Sequence, residues 1–558
     1  MTASQDSLAE EGRRERGRLV ARAGVVGAGT LASRVLGLVR DMVLAALFDR
    51  DATDAWWVAF TIPNALRSLL GEGAITSAVV PVLSQKLARE GEAAAQRFFA
   101  RVRGVSLLAL VVVTAGGMLF TGPLTELFAA GYHERPGEFA RTVDLTRLVF
   151  PYILFMGTAA LGMAALNANR RFAVAAFAPG LLNVALIAAA LAAPLLAMED
   201  PVRALAFGAL AGGLLQVVAQ WPALRGIGYA SRPAFVLDAD VREVLRRIAP
   251  LTFGIGIYYV DLVLSRRFLS ELGTGAQSYF SWAMRLCDFP QGIFVMALST
   301  AALPALSTLA AKGARGELAK TWAHGMALAM FVAIPASAAL VVLGEPIVVA
   351  LFQRGAFDAR AAHETARALV WQGGAVWTVA AVRQTVPALY ALGDTRTPVV
   401  VSALDLGAFI VLAVVLRGPL GHVGISVAVA GSSAVQMVLL LVGLRRRLGT
   451  IEGPALARST ARTLAASALA AVAGWGASTL LAPNGPAGAL SRALPGIAGM
   501  VAFTTVFALA AWGMRAPELE EIARAFRRRL TPRRGDAGGE PASKTVVGTP
   551  RDDRRRTG

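Results

Sequence analysis

The feature that most constrains this chain is a long series of apolar stretches, each long enough to cross a lipid bilayer. A membrane-spanning helix needs about 20 mainly apolar residues. Of the 558 residues, 55% are hydrophobic and 16% are charged, whereas water-soluble chains are about 25% charged. This composition excludes a disordered protein and an ordinary soluble enzyme. The single cysteine, Cys287, excludes a disulfide framework and a cysteine-based metal site, and the four histidines form no ligand cluster.

We count 14 such stretches and predict an all-α polytopic membrane protein with 14 transmembrane helices. The predicted spans lie near residues 24–48, 55–83, 105–128, 145–168, 175–198, 203–223, 247–269, 277–304, 322–351, 367–392, 398–416, 422–444, 462–482 and 492–513. Spans 2 and 8 are long and contain Pro63 and Pro290, which are expected to bend them.

Positive charge is distributed unequally between alternate loops. With a cytoplasmic N-terminus, 38 of the 55 Lys and Arg residues fall on the cytoplasmic side, 11 on the other side and six inside spans. This bias is the one that the positive-inside rule describes, so both termini are predicted to be cytoplasmic. The net charge of +18 then reflects orientation, and we expect no nucleic-acid partner. The polar, arginine-rich start of the chain does not have the pattern of a cleaved signal peptide.

Three short matches recur along the chain at offsets of 223 to 226 residues. Residues 80–84 resemble 303–307, residues 127–131 resemble 351–355, and residues 166–170 resemble 392–396. Two six-span copies with the same orientation would place a substrate site between two lobes. The alternative is chance similarity among helices rich in Ala, Leu and Val.

The predicted organisation has six parts. They are a basic N-terminus (1–23), an N-lobe (24–223), a cytoplasmic linker (224–246), a C-lobe (247–444), an extra pair of spans (445–513) and a basic, mostly disordered tail (514–558), in which 518–530 can form an amphipathic helix.

Charged residues inside spans are candidates for function, because each costs at least about 2.5–3.5 kcal/mol in the membrane. On span 1, residues 34, 37 and 41 share one helical face, and span 2 repeats this spacing. We expect these side chains to face a shared cavity, where arginines can bind phosphate bidentately. Such a cavity would suit a large anionic amphiphile such as a lipid-linked phosphate. The candidate cavity residues are Ser33, Arg34, Arg40, Asn64, Arg67, Ser278 and Arg285, the candidate charge-pair residues are Asp41, Asp54, Glu72 and Asp288, and further acids are Asp261 and Asp405.

A purely structural alternative is that these charges only tie helices together. Arg40 would then pair with Asp41 or Asp54, and Arg67 with Glu72, as intramembrane charges commonly do.

Several of these stretches resemble the MurJ (MviN) family of lipid II flippases. The resemblance is carried by SRVLGLVRD at 33–41, TDAWWVAF at 53–60, IPNALR at 62–67 and GEGA at 71–74, and continues at 150–152, 177–183, 285–290 and 390–398. It covers about residues 24–513. It implies the fold of the multidrug/oligosaccharidyl-lipid/polysaccharide exporter superfamily, with two six-helix lobes and two extra helices that form a groove for a lipid tail.

The resemblance also implies a function. Members of this family move lipid II, an undecaprenyl-diphosphate-linked disaccharide-pentapeptide, from the inner to the outer leaflet of the bacterial cytoplasmic membrane for peptidoglycan synthesis. The chain would therefore be a transporter rather than an enzyme, with lipid II and membrane lipids as partners and cell-wall synthesis proteins as further candidates. The family's functional positions fall on Arg34, Arg40, Asp41, Asp54, Asn64, Arg67, Glu72, Ser278 and Arg285.

Two departures from the family pattern stand out. Met284 replaces an aspartate that many relatives have before the span 8 arginine, and Asp288 lies one turn away. Some relatives bind sodium through an acid in span 7, which Asp261 matches, and polar groups in spans 11 and 12. Phe409 and Ala413 stand where the span 11 Asn/Asp pair is expected, and Asp405 is the available substitute. No resident cofactor is expected, and sodium, protons and the membrane potential are the candidate driving forces.

The expected mechanism is alternating access. Arg34, Arg67 and Arg285 would hold the diphosphate, and Asp41, Asp54 and Glu72 would form gates by pairing with arginines. The alternatives are a flippase for another polyprenyl-diphosphate-linked oligosaccharide, a multidrug exporter, a membrane glycosyltransferase and a scaffold. A drug–cation exporter would favour acidic residues over arginines, and the external segments 129–144 and 352–366 are too short for a catalytic domain.

Overall fold

The chain is helical throughout the part that the computed structural model describes, which is residues 27–67, 74–196, 198–483, 485 and 488–530. No β-strand occurs in these ranges. The helices are α1 (27–47), α2 (Arg50–Arg67), α3 (Ala74–Glu90), α4 (Glu92–Leu119), α5 (Thr121–Ala129), α6 (Pro136–Val149), α7 (Tyr152–Ala168), α8 (Phe172–Ala192), α9 (Arg203–Gly226), α10 (Ala239–Ser270), α11 (Ala276–Pro290), α12 (Met296–Ala311), α13 (Arg315–Val342), α14 (Gly344–Phe352), α15 (Ala359–Gly374), α16 (Val376–Ala391), α17 (Arg396–Leu420), α18 (His422–Leu448), α19 (Gly453–Leu480), α20 (Ala489–Gly513) and α21 (Pro517–Leu530).

Each predicted span overlaps at least one of these helices, but the predicted count of 14 is not confirmed. Within the described ranges, nine helical segments are long and apolar enough to cross a membrane by length and composition. They are α4, α6 with α7, α8, α9, α13, α17, α18, α19 and α20. The predicted spans outside this set are charged or divided. The helix α1 carries Arg34, Arg40 and Asp41, and a π-helical segment, Gln291–Val295, separates α11 from α12.

The largest apolar core joins the first helices of the chain to its middle. Leu44, Trp56, Trp282 and Phe352 are each at most 6% exposed and belong to one cluster. The helix α2 packs against α6 and α11, and α13 packs against α15 and α16. The late pair α19 and α20 pack against each other, α19 against α13, and α20 against α14. The extra pair of helices is therefore attached along α13 and α14.

The segment that connects α9 to α10 lies along α4. The N–H of Ala234 donates to the carbonyl of Ala100 at 2.9 Å, and Arg101 forms an ion pair with Asp238 at 2.5 Å. Gly104 permits this close approach, since a Cβ there would lie 2.2 Å from the Ala234 carbonyl oxygen. This part of the predicted linker 224–246 is thus held against α4.

The predicted amphipathic segment after α20 is the helix α21. Leu519 and Ile522 pack on its inner side against a cluster that contains Phe331 of α13. The hydroxyl of Ser459 in α19 donates to Glu518 at 2.6 Å. The helix α21 therefore docks on α13 and α19, and the rest of the tail lies outside the described residues.

A carboxylate fixes the turn between α16 and α17. Asp394 accepts hydrogen bonds from the N–H and hydroxyl of Thr397, at 2.9 and 2.8 Å, and from Nε of Arg447 at 2.7 Å. The Thr397 N–H is the main reason that the pKa of Asp394 lies below its ordinary value, and the Thr397 hydroxyl and Arg447 lower it further against the opposing effect of burial.

This arrangement predicts a pH-dependent stability. A carboxyl whose pKa is lowered by folding stabilises the protein above its unfolded pKa of about 3.9, and this stabilisation is lost as the pH falls through the folded value. At pH 7, Asp394→Asn should lower the apparent melting temperature by about 1–3 °C. The difference between variant and wild type should be smaller at about pH 3 than at pH 7, because Asp394 takes up protons as the pH falls below the unfolded pKa. A difference that is equal at both pH values would contradict this assignment.

Candidate functional site

A cavity of about 990 Å³ lies among the helices that carry the predicted charges. Helices α1, α2, α8, α11, α16 and α20 all contribute to its wall. Five arginines line it: Arg34, Arg40, Arg67, Arg285 and Arg383. Among the described residues that line the cavity, the one carboxylate is Asp288. The wall therefore carries a marked excess of positive charge.

Another part of the cavity wall is apolar. Leu340 of α13, Ile347 and Leu351 of α14, and Ile497 and Met500 of α20 line it. The same cavity thus presents a cationic surface and a hydrocarbon surface, which is the combination that an anionic amphiphile requires.

The polar face predicted for span 1 is present on α1. Ser33, Arg34, Gly37 and Arg40 all line the cavity. Asn183 of α8 fixes this face, since its Nδ2 donates to the Ser33 carbonyl at 3.0 Å and its Oδ1 accepts from Nη1 of Arg40 at 3.0 Å. The helical spacing of these residues therefore gives one shared surface, held in register by α8.

Asp41 joins two of the cavity arginines from behind the wall. It is fully buried, and its Oδ1 accepts from Nε and Nη2 of Arg40 at 2.8 and 2.6 Å. Its Oδ2 lies 2.9 Å from Nε of Arg285. The predicted pairing of Arg40 with Asp41 exists, yet both arginines also line the cavity. For Arg285, which is 38% exposed, a structural tie and access to the cavity are therefore compatible, whereas Arg40 is only 9% exposed.

The guanidinium of Arg34 lies directly against the backbone at Gly292. Its Nη1 donates to the carbonyl of Asp288 at 3.3 Å. A Cβ at Gly292 would lie 2.1 Å from the same nitrogen. Gly292 belongs to the π-helical segment Gln291–Val295, and such segments often occur at functional sites. The absence of a side chain at position 292 is thus what lets Arg34 take this position.

Arg67 and Asn64 lie on the cavity wall, and Nε of Arg67 donates to Oδ1 of Asn64 at 3.0 Å. Glu72, the predicted partner of Arg67, lies outside the described residues.

Asp54 and Ser278 lie in a different place from the one we expected. Ser278 is 1% exposed at the start of α11 and is not part of the cavity wall. Asp54, fully buried, accepts from the N–H of Gly275 at 2.6 Å and from the N–H of Ser278 at 2.7 Å. The Ser278 hydroxyl donates to that of Thr53 at 2.7 Å. Instead of pairing with an arginine, Asp54 thus caps α11, because the free N–H groups at a helix start favour a carboxylate.

More contacts surround this cap, at the end of the bundle where α1 ends and α2 begins. Arg50 donates from Nη1 to the Tyr279 hydroxyl at 3.2 Å. The N–H of Ala356 donates to the carbonyl of Ala46 at 2.8 Å. Gly355 has φ +57°, and a Cβ there would lie 2.1 Å from the Ala46 carbonyl oxygen. At this end, α1 and α2 are therefore closed against α11 and the α14–α15 loop.

Asp261 and Asp405 lie away from the cavity. They are close enough to repel each other electrostatically, and Oδ1 of Asp405 is buried with no hydrogen-bond partner in the described part of the chain. Phe409 and Ala413 pack in the apolar core instead of offering ligands. A buried carboxylate oxygen without a hydrogen-bond partner, near a second carboxylate, suits a cation that prefers oxygen ligands. Within the described ranges, no cluster of three or more His, Cys, Asp or Glu side chains is placed to hold a metal ion.

The structure shows where two further residues, Arg383 and Met284, lie relative to the cavity. Arg383 of α16 is an intramembrane charge that the sequence shows but that we did not assign to the site. Met284 stands at the position where the resemblance leads us to expect an aspartate. It packs against the apolar cluster around Phe280 and Phe409 and does not line the cavity. The replacement thus removes a charge from a position that is apolar in this chain.

Comparison with known proteins identifies the family. The family model described as "Lipid II flippase MurJ" matches residues 43–495. The chain belongs to the lipid II flippase MurJ family. Among MurJ relatives, "Lipid II flippase MurJ" of Burkholderia cenocepacia is 34% identical over 428 residues, which cover 75% of this chain and 82% of that protein. A "Probable lipid II flippase MurJ" of Rhizobium meliloti is 31% identical over 522 residues, covering 91% of this chain and 96% of that one.

Solved structures show the same fold as this MurJ family member. One described as "Lipid II flippase MurJ, inward closed conformation" gives a TM-score of 0.70 at 20% identity, covering 88% of this chain and 99% of its own. An inward-facing multidrug resistance MATE family transporter of the MOP superfamily gives a TM-score of 0.62 at 12% identity, covering 75% and 96%. The predicted all-helical membrane fold and the likeness to MurJ are therefore confirmed, whereas the division into two six-helix lobes and two extra helices stays a prediction.

Proposed function

We propose that this membrane protein moves lipid II from the inner to the outer leaflet of the bacterial cytoplasmic membrane, and that the cavity arginines bind its diphosphate. The observation that carries this proposal is the convergence of five arginines on one half-apolar cavity in a chain of the MurJ family. The protein would act as a transporter, without covalent chemistry.

Charge supports a diphosphate as the bound group. Within the described part of the chain, five guanidiniums line the cavity while one carboxylate, Asp288, lies on its wall and another, Asp41, lies behind it. The described residues therefore give the cavity an excess of positive charge. Arginine keeps its charge in an apolar setting and donates two parallel hydrogen bonds to phosphate oxygens. A drug–cation exporter would require the opposite sign of charge.

The apolar side of the cavity supports a lipid-linked substrate. Ile497, Met500 and Val501 of α20 line the cavity, and farther along this helix Leu509 is 61% exposed and Trp512 is 73% exposed. A polyprenyl chain could extend from the cavity along α20 toward the surrounding lipid, while the head group stays among the arginines.

Transport would proceed by alternating access. The N-lobe and C-lobe, each of six spans, would rock against each other, with α19 and α20 as the extra pair that completes 14 spans. The distribution of positive charge in the loops favours a cytoplasmic location for both termini. In this orientation, the Asp54 cap and the contacts around it close the external end, and they must separate for the head group to leave.

Two driving forces are compatible with the site. The inside-negative potential favours outward movement of an anion by about 2.3 kcal/mol per charge per 100 mV. The pair Asp261 and Asp405 would hold sodium if a cation is coupled to the cycle, with Ser432 beside Asp405.

A direct test in cells uses Arg67. In a strain depleted of its own flippase, Arg67→Ala should fail to support growth, because a phosphate-binding guanidinium is lost. Arg147→Ala provides a matched control, since Arg147 lies in α6, is exposed and does not line the cavity. Normal growth with Arg67→Ala at normal protein abundance would contradict the proposal.

Gly292 allows a test that changes no charge. In Gly292→Ala, the new methyl would displace the Arg34 guanidinium from the Asp288 carbonyl. We expect lipid II to bind about tenfold more weakly, because the displaced Arg34 would no longer be placed to donate a charged hydrogen bond to a phosphate oxygen of the lipid. The melting temperature should change little, because the displaced group is the end of a flexible side chain. Gly407→Ala, where a Cβ meets nothing within 4 Å, should leave binding unchanged, and unchanged binding in Gly292→Ala would refute the role given to this glycine.

A further inference from the structure

Trp57 touches two arginines without lining the cavity itself. It lies in α2 and is 6% exposed. The guanidinium carbon of Arg285 lies 5.6 Å from the centre of its ring, and that of Arg266 lies at 5.9 Å. Both distances are within the roughly 6 Å range of cation–π attraction. One buried indole therefore lies beside a cavity arginine and a second arginine from α10.

The side chain of Arg285 is long, and it reaches the cavity while two acids lie close to it. It is 38% exposed to the cavity. Its Nε lies 2.9 Å from Asp41, while its Nη1 lies 3.8 Å from Asp288. Asp41 is also held by Arg40, so Arg285 shares this carboxylate with a second arginine. The Trp57 ring adds a contact to the guanidinium of Arg285 itself.

The ring of Trp57 is itself fixed. Trp282 meets it edge-on, with ring centres 5.0 Å apart and an angle of 80° between the planes. Trp282 in turn contacts Phe352 at 5.5 Å. The indole N–H of Trp57 has no hydrogen-bond partner among the described residues. The contacts of Trp57 with the two arginines and Trp282 are therefore made by its aromatic ring and not by its indole N–H.

Arg266 is fixed on its own side. It is 6% exposed, and its Nη1 donates to Gln277 at 2.9 Å and to Ser281 at 2.7 Å. Of the two cations beside Trp57, Arg266 is thus locked in place, and Arg285 is the one that faces the cavity.

We infer that Trp57 is a positioning residue that orients Arg285 toward the phosphate groups of the bound lipid. This inference rests on the proposed function, because it assigns the ring a role only through an arginine that binds substrate. The electron-rich face of Trp57 would hold the guanidinium in the orientation that a phosphate meets, so that this order is already present before binding.

The test is a set of lipid II affinities measured with purified protein in lipid nanodiscs. Trp57→Leu should weaken binding about 3- to 30-fold, the range of a partly desolvated cation–π contact. Trp57→Phe keeps an aromatic face and should stay within about threefold of wild type. Trp322→Leu is the matched control, since Trp322 is a buried tryptophan of the same apolar core, at 2% exposure, and does not line the cavity; it should bind like wild type.

A double variant distinguishes an effect of Trp57 on Arg285 from a general effect of Trp57 on packing. Trp57→Leu combined with Arg285→Ala should bind no more weakly than Arg285→Ala alone, because contacting residues that act together are not additive. Independent, multiplying losses would overturn the inference.

Fluorinated tryptophans at position 57 keep the test decisive if Trp57→Leu does not fold. They preserve the shape of the ring and weaken its negative face, so affinity should fall stepwise with fluorine number. Constant affinity across the series would overturn the inference.

The two possible failures are distinguishable. If Arg285→Ala binds lipid II as tightly as wild type, the proposed function of the arginine cavity fails. If Arg285→Ala weakens binding but the Trp57 variants do not, the inference about Trp57 fails and the proposed function stands.

Discussion

Asp41→Asn is expected to destabilise the protein by about 3–5 kcal/mol and to abolish growth of a flippase-depleted strain. The fully buried carboxylate is shared by Arg40 and Arg285. Its removal leaves two guanidiniums close together without their common counter-charge, which is far more costly than losing a surface pair. Thermal unfolding in detergent measures the loss.

Two further variants separate the causes. Asp41→Asn combined with Arg40→Gln removes one of the two stranded charges, so part of the stability should return. Asp144→Asn breaks an exposed ion pair with Arg203 and should change stability by less than about 1 kcal/mol. An Asp41→Asn protein as stable as wild type would show that the shared carboxylate is not needed.

Asp54→Asn is expected to open the external end of the bundle. The variant side chain keeps one oxygen acceptor, so one of the N–H groups of Gly275 and Ser278 loses its partner. Losing a hydrogen bond to a charged group costs about 1.5–3 kcal/mol, which shifts a two-state equilibrium about 10- to 100-fold toward the open form.

Cysteine labelling measures this shift. Cys287 is the one cysteine of the chain, so Cys287→Ala with Ala52→Cys gives a single reporter at a position that is 3% exposed. A membrane-impermeant maleimide should label it at least about tenfold faster when Asp54→Asn is added. Thr53→Val, which removes the hydroxyl contact to Ser278 and keeps the carboxylate, should have a smaller effect. Equal labelling rates with and without Asp54→Asn would contradict the gating role.

The part of the cavity wall that α1 forms could be predicted from the spacing of residues along this one helix. Arg34 and Arg40 follow from helical spacing alone, because residues three to seven apart repeat on one face. That Arg285 and Arg40 share Asp41 depends on a contact between residues 244 positions apart, which no local pattern contains. Arg383 was visible as an intramembrane charge, but its place on the wall depends on how α16 packs.

The main error in the predicted site was the position of residues along the helix axis, and Ser278 is the example. Ser278 and Arg285 are seven residues apart and share a face of α11, but seven residues extend about 10.5 Å along a helix. That distance separates the cavity from the helix start where Asp54 binds. A buried aspartate can pair with an arginine or cap a helix, and only the position of Gly275 before α11, with φ +94°, decides between these roles. The predicted count of 14 spans is not confirmed for a related reason: the helices around the cavity carry charges or are divided, so their length and composition differ from those of ordinary spans.

The most direct test of the central claim is the affinity of the purified protein for lipid II compared with its affinity for undecaprenol, which has the same chain and no phosphate. We predict that wild type prefers lipid II by at least about tenfold, that Arg34→Ala with Arg285→Ala removes this preference, and that Arg147→Ala retains it. Equal affinity of wild type for both lipids, or an undiminished preference in the double variant, would contradict the account.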